Sequence, residues 1–264
     1  MTKHRHDTDD DLDFEERGRP AKALRCDVLH TDDDFFVIDK PAGMFFEGGL
    51  FDDPSVVEQL QTDEDAADGL DSVYPLEPDV SGLMVVARNE AALNSLEKQF
   101  DDHRMSLTLL ALVRGIVLNE SGVMEDLLTS PKSGKVKVIS EHGDSAITEW
   151  RVRDSFVGFA LLECTPRTRL EQQVRAQLTH AALPLAVDAA HGGAEHLKLS
   201  SFKPNYRASR RHPERPLIRR ASIHAWKVAF DHPRTGESLK FEASTPKDFK
   251  ATLHQLDRFG RIAK

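Results

Sequence analysis

Apolar residues along this chain fall into short runs and alternations rather than into long helical stripes. Residues 35–39 (Phe-Phe-Val-Ile-Asp) and 83–87 (Leu-Met-Val-Val-Ala) are near-continuous apolar runs, as expected of strands buried on both faces. Residues 26–30, 105–113, 135–139, 146–153, 159–164, 222–230 and 238–243 read as further strands. The linkers among them are short and turn-rich, for example Ser133-Gly134, His142-Gly143-Asp144 and the stretch 231–236, which implies antiparallel connections. Helical patterning is confined to three places. Residues 54–61 form a short helix with Asp53 as cap and Pro54 at its first position. Residues 90–102 follow the N-cap Asn89 and put Leu93, Leu96 and Phe100 on one face. A last helix starts after Thr245-Pro246-Lys247-Asp248, with Phe249, Leu253 and Leu256 as its apolar side.

The chain is organised around residues 73–88, VYPLEPDVSGLMVVAR. Pro75 and Pro78 forbid helix there, because each fixes φ and biases its predecessor toward extended backbone. The result is a stiff loop that carries Glu77 and feeds the core strand 83–87. Chemistry concentrates at such places, although a lone loop glutamate is ordinarily a solvated turn acid.

Composition narrows the class. At 264 residues the chain can bury a large core. No apolar run approaches the roughly eighteen residues of a membrane span, and the first residues are charged rather than signal-like, so a cytoplasmic protein is expected. Cys26 and Cys164 lie far apart without metal-ligand spacing, so no disulfide or metal is expected. The net charge of −9 conceals an asymmetry: residues 1–102 hold 27 acids and 9 bases, and residues 103–264 hold 17 acids and 26 bases. Residues 1–20 are expected to be a disordered acidic tail, and 21–264 a single domain. Residues 198–220 carry eight Lys/Arg against one acid, with Phe202 and Tyr206 among them and three prolines limiting regular structure. Basic residues interleaved with aromatics in a loop suit RNA, through phosphate pairing and base stacking. The candidate contacts are Lys203, Tyr206, Arg207, Arg210, Arg211, Arg219 and Arg220.

The central stretch resembles the signature of the RluA-type pseudouridine synthase family, H-R-L-D-x-x-T-S-G followed by a strand. Leu76, Ser81 and Gly82 match; Glu77 stands at the nucleophilic Asp, Tyr74 at the His, Pro75 at the Arg and Val80 at the Thr. Lys40-Pro41-Ala42-Gly43 resembles the family's K-P-x-G. Residues 105–115 resemble its K-x-Y-x-A-L-V-x-G, with Leu107 at the Lys and Leu109 at the Tyr. Residues 161–193 align without gaps on L-E-x-x-P-x-T-G-R-T-H-Q-I-R, continuing to D-x-x-Y-G-G. Gln173, Arg175 and Asp188 match, while Leu170 stands at the Arg that pairs with the family's nucleophile. The ending of residues 223–237 resembles L-H-A-x-x-L-x-F…H-P-x-T-G-E.

This resemblance covers residues 25–258 and implies an α+β fold, a mixed but mainly antiparallel central sheet with flanking helices and a central RNA-binding cleft. The small RNA-binding S4 domain often found at the start of relatives is not expected here. The resemblance further implies isomerisation of uridine to pseudouridine in structured ribosomal or transfer RNA by a monomer, without cofactor or metal, and without DNA or membrane as partner. That reaction breaks the glycosidic bond, turns the base and rejoins it through carbon. It needs an ionised carboxylate, a neighbouring cation, a platform for the detached uracil, and a nucleotide flipped from its stack. The implied pocket consists of Glu77, Leu109, Leu170, Gln173 and Arg175. A carboxyl among leucines with nothing positive beside it is a poor nucleophile, so weakened or lost catalysis in an RNA-binding relative is expected. Arg169 is not expected to substitute, since on an extended strand it points away from the face of Leu170. Two alternatives remain: an active synthase that uses Glu77, and a protein-binding scaffold without RNA.

Overall fold

Side-chain alternation decides how the sheet is covered, and the computed structural model shows it for residues 24–48, 55–129, 135–209 and 212–262. The elements in chain order are β1 (Asp27–Thr31), β2 (Phe35–Lys40), α1 (Val56–Asp63), β3 (Asp71–Ser72), β4 (Ser81–Ala87), α2 (Glu90–Asp101), β5 (Ser106–Arg114) and β6 (Ser121–Leu128). They continue with β7 (Val138–Ile139), β8 (Asp144–Phe156), β9 (Phe159–Pro166), α3 (Gln173–His180), β10 (Ile223–Asp231), β11 (Ser238–Glu242) and α4 (Lys247–Gly260). One sheet runs in the order β1-β2-β4-β10-β5-β9-β8-β6-β7, with β3 paired to β4 and β11 to β10. Among the described residues every pairing between these strands is antiparallel except β4 with β10.

In β5, Leu109, Ala111 and Val113 join the main core with Leu162, Cys164 and the α2 residues Leu96 and Phe100. The alternate residues Leu110 and Leu112 join Phe159, Leu161 and the α4 residues Phe249 and Leu256 on the other face. Period two along the strand thus feeds two cores, and helices cover both. β4 is buried at all seven positions, as its apolar run requires.

β4 and β10 meet at His224↔Ser81 and Ala225↔Gly82. Gly82 adopts φ +117°, and a Cβ there would lie 2.1 Å from the Ala225 carbonyl oxygen. Ser81 Oγ lies 3.0 Å from His224 Nδ1 in the same buried contact. Burial pushes His224 down to about 4, so the ring is neutral at physiological pH. The exit of the Glu77 loop into the sheet is therefore fixed by a backbone contact that only glycine permits.

Several elements differ from the sequence expectation. The first helix starts two residues later, at Val56, because Ser55 and Glu58 form a reciprocal capping box; Asp53 and Pro54 lie outside the described residues, as do residues 1–20 and Ser133-Gly134. Only Val138–Ile139 of the expected strand 135–139 pairs. β6 and α3 are additions to the expected elements. No helix among the described residues is long and apolar enough to cross a membrane.

Candidate functional site

The peptide that carries Glu77 is pinned from below by a buried ammonium. Lys40 is fully buried, and its Nζ donates to the carbonyls of Met44 (2.8 Å), Glu77 (3.1 Å), Pro78 (3.2 Å) and Pro41 (3.3 Å). Burial pulls Lys40 down to about 8, against the attraction of Glu77 and Asp79. The Gly43 N–H donates to Pro78 O at 2.6 Å, and Val80 N–H to Glu77 O at 3.0 Å. With Leu76 and Val80 in the core, the loop is held on both sides of its acid.

Glu77 is partly exposed, and its Oε1 accepts the Gln172 N–H at 3.0 Å. Gln172 sits at φ 55°, in the left-handed region, at the entry to α3. Burial raises the Glu77 pKa above the ordinary 4.5; the charge of Arg175 pulls it down and that of Asp79 pushes it up. Among the described residues Glu77 forms no ion pair. The expectation of nothing positive nearby is corrected: α3 brings the Arg175 charge within electrostatic reach, and Lys40 grips the carbonyl of Glu77 itself.

That guanidinium is committed elsewhere. Arg175 Nε and Nη2 donate to Asp188 at 2.8 Å each, and Nη1 and Nη2 donate to Asp79 at 2.9 and 2.8 Å. Its side chain is 7% exposed, that of Asp188 1% and that of Asp79 43%. Burial would raise Asp188, but hydrogen bonds from Arg175 and His191 outweigh it and hold the carboxyl well below the usual range. His191 Nδ1 faces Asp188 at 3.3 Å. Four of the five guanidinium donors are thus occupied by protein carboxylates.

Gln173 is fully buried: it donates to Ile147 O and Thr148 Oγ1 and accepts from Thr168 Oγ1 and the Leu170 N–H. It braces the turn before α3 inside the protein rather than facing a cleft. Leu109 belongs to the main core, while Leu170 packs partly buried against Leu128, Val136, Ala146 and Ala176. Residues 169–172 are not strand, so Arg169 is placed by its partners rather than by strand parity. It bonds Glu97 at 2.6 Å and Asp101 at 3.4 Å on α2, and does not replace the missing partner of Glu77. An aromatic ring does stand close. Tyr74 stacks on Phe100 with centroids 6.1 Å apart, and burial together with the Glu77 charge raises its phenol pKa.

A cleft of about 460 Å³ opens next to the Glu77 loop, lined by Pro78, Asp79, Arg175, Asp188, Arg219 and Arg220 among others, though not by Glu77 itself. Arg219 is exposed on its wall, whereas Arg220 is held by Asp248 at 2.9 and 3.0 Å and by two backbone carbonyls. The basic segment 198–220 leaves and returns through a neck where Leu197 pairs with Ile218. Lys203 sits 4.8 Å from the Phe259 ring centre and 6.0 Å from that of Tyr206. Arg207 is exposed, and Arg210 and Arg211 lie outside the described residues. The structure therefore brings Arg219 and Arg220 to the Glu77 side and places Lys203 at a separate cavity, which Tyr206 does not line. Lys40, Asp79 and Asp188 join the site without having been expected there, although Lys40 and Asp188 lie in matched motifs. Elsewhere Asp32, Asp34 and His232 converge, but Arg234 holds Asp34 through two nitrogens at 2.8 and 2.6 Å, which makes this an ion-pair cluster.

A mixed sheet clad by helices on both faces, with a pinned acidic loop entering at its one parallel contact, defines the class. The family described as RNA pseudouridylate synthase matches residues 34–180, more than half of the chain, and the chain belongs to it. Ribosomal large subunit pseudouridine synthase C of Escherichia coli (strain K12) is 29% identical over 239 residues, 89% of this chain and 71% of that protein. The uncharacterized RNA pseudouridine synthase YlyB of Bacillus subtilis (strain 168) is 27% identical over 250 residues, 91% and 76% of the two chains. The solved structure of human RNA pseudouridylate synthase domain containing 1 shares the fold at TM-score 0.61 and 18% identity, covering 86% of each chain.

The raised pKa of Glu77 has a measurable consequence. Its ionised form is disfavoured in the folded protein, so its contribution to stability is complete below about pH 4.5 and declines as pH rises through the folded value. Glu77→Gln keeps an oxygen for the Gln172 N–H and removes the titration. Thermal melts should coincide at pH 4 and separate above it, with the variant melting higher at pH 7.5. A variant that melts lower at pH 7.5 contradicts the assignment.

Proposed function

We propose that this chain is an RNA-binding member of its family whose capacity to isomerise uridine is weakened or lost, with structured ribosomal or transfer RNA as its partner. One observation carries the reading: the carboxyl at the nucleophile position is disfavoured as an anion, while the nearest guanidinium is bound by two other carboxylates. A nucleophile must be ionised and its leaving group stabilised, and groups that act as a unit fail together. The extra methylene of glutamate also shifts the reactive oxygens by roughly an ångström, enough to cost about a hundredfold in rate. The names of the relatives, which specify RNA and the ribosomal large subunit, support the choice of partner.

Arg219, exposed at the cleft rim, offers a phosphate contact, while the donors of Arg175 and Arg220 are largely occupied. A second reading, an active synthase using Glu77, is favoured by the Arg175 charge felt at Glu77 and by the nearby ring of Tyr74. Fluorescence anisotropy with a transcribed ribosomal RNA hairpin bearing single-stranded flanks tests the RNA reading. Binding should weaken steeply with salt, and Arg219→Ala should make the log–log slope shallower by about 1. Absence of binding at low salt overturns the reading in favour of a protein-binding scaffold.

A further inference from the structure

Residues 186–197 form a wall with a cavity on each side. Val187, Asp188, Ala189 and Glu195 face the cleft beside Glu77. Ala186, Ala194, His196 and Leu197 face a second cavity of about 510 Å³. Phe159 and Phe202 meet edge to face in its lining, with ring centroids 6.0 Å apart and planes at 75°. Arg114, His196 and Lys203 also line it, together with the exposed residues Ser200 and Ser201, and among the described residues no carboxylate does.

Among the described residues Arg114 and His196 make no side-chain hydrogen bond or ion pair, and the partners of Lys203 Nζ are the rings of Phe259 and Tyr206. The one acid of residues 198–220, Glu214, accepts the Ser200 N–H at 2.7 Å. Cations without acid partners around a recess attract an anion, and an aromatic wall in the same recess selects one that carries a flat ring. A nucleotide has both, with its phosphate suited to arginine and lysine and its base to a phenyl face.

We propose that this second cavity holds one nucleotide of the bound RNA outside the Glu77 cleft, its phosphodiester between Arg114 and Lys203 and its base against Phe202. The proposal rests on the RNA reading above and extends it across the wall, so that one strand is gripped on both sides. Anisotropy with the same RNA hairpin tests it, using Arg114→Gln, Lys203→Met and their combination. Each single change should reduce the salt slope by about 1 and the pair by about 2, while Arg114→Lys keeps it. Arg114 is exposed at a strand end, so its variant reports even if replacing the half-buried Lys203 disturbs folding. Unchanged slopes with intact wild-type binding overturn the second site and leave the RNA reading standing. Absence of wild-type binding overturns both.

Discussion

Gly82→Ala is expected to cost more than about 4 kcal/mol, beyond the range of ordinary substitutions, and to lower the melting temperature by roughly 10 °C or more. Two effects combine. At φ +117° an alanine is strained, and its Cβ would stand 2.1 Å from the Ala225 oxygen, with the Ala225 carbonyl carbon and nitrogen both at 2.7 Å. All three atoms are backbone of β10, which is paired with β5 and β11 and has little room to retreat. Gly48 is the control: it also has positive φ (+56°), but a Cβ added there would meet no atom within 4 Å. Gly48→Ala should cost only the left-handed penalty, about 1–2 kcal/mol. Equal melting temperatures for the two variants would mean that the β4–β10 approach is looser than described.

Asp188→Ala should destabilise by about 3–5 kcal/mol, because it leaves the Arg175 guanidinium nearly buried with only the half-exposed Asp79 for a partner. The same change at Asp79 should cost about 1 kcal/mol or less, since water already shares that side of the pair. Chemical denaturation of both variants measures the difference. If Arg175 were primarily an RNA ligand, Asp188→Ala would be mild and would strengthen RNA binding by freeing the charge. A third variant, Arg175→Met with Asp188→Leu, should recover much of the stability lost in Asp188→Ala, since no charge is left stranded.

The frame of the fold was legible because its strands are written in apolar runs: β2, β4, β5, β9 and β10 follow the pattern closely. α3 was not, because its buried positions include Gln173, Arg175 and Gln177, which hide its core contacts from any hydrophobic count. β6 (SGVMEDLL) mixes acids with apolar residues and reads as neither period. At the site, the motif pointed to the loop of Glu77, but the electrostatics of that loop depend on partners far away in sequence. Arg175 meets Asp79 across 96 positions, and Lys40 meets Glu77 across 37. Charge pairing of this kind is set by tertiary folding, so a residue-by-residue reading finds the acid and Arg175 but misses the partners of Arg175 and the grip of Lys40.

Whether Glu77 still isomerises uridine is decided by mapping pseudouridine after incubation with bulk ribosomal and transfer RNA, with the protein in excess over RNA so that slow turnover still registers. No new pseudouridine is expected, or traces at least a hundredfold below the yield of a catalytically competent relative. Robust product that vanishes in Glu77→Ala would contradict that expectation, and would show that a disfavoured carboxylate, with its guanidinium shared between two other acids, still opens the nucleoside bond.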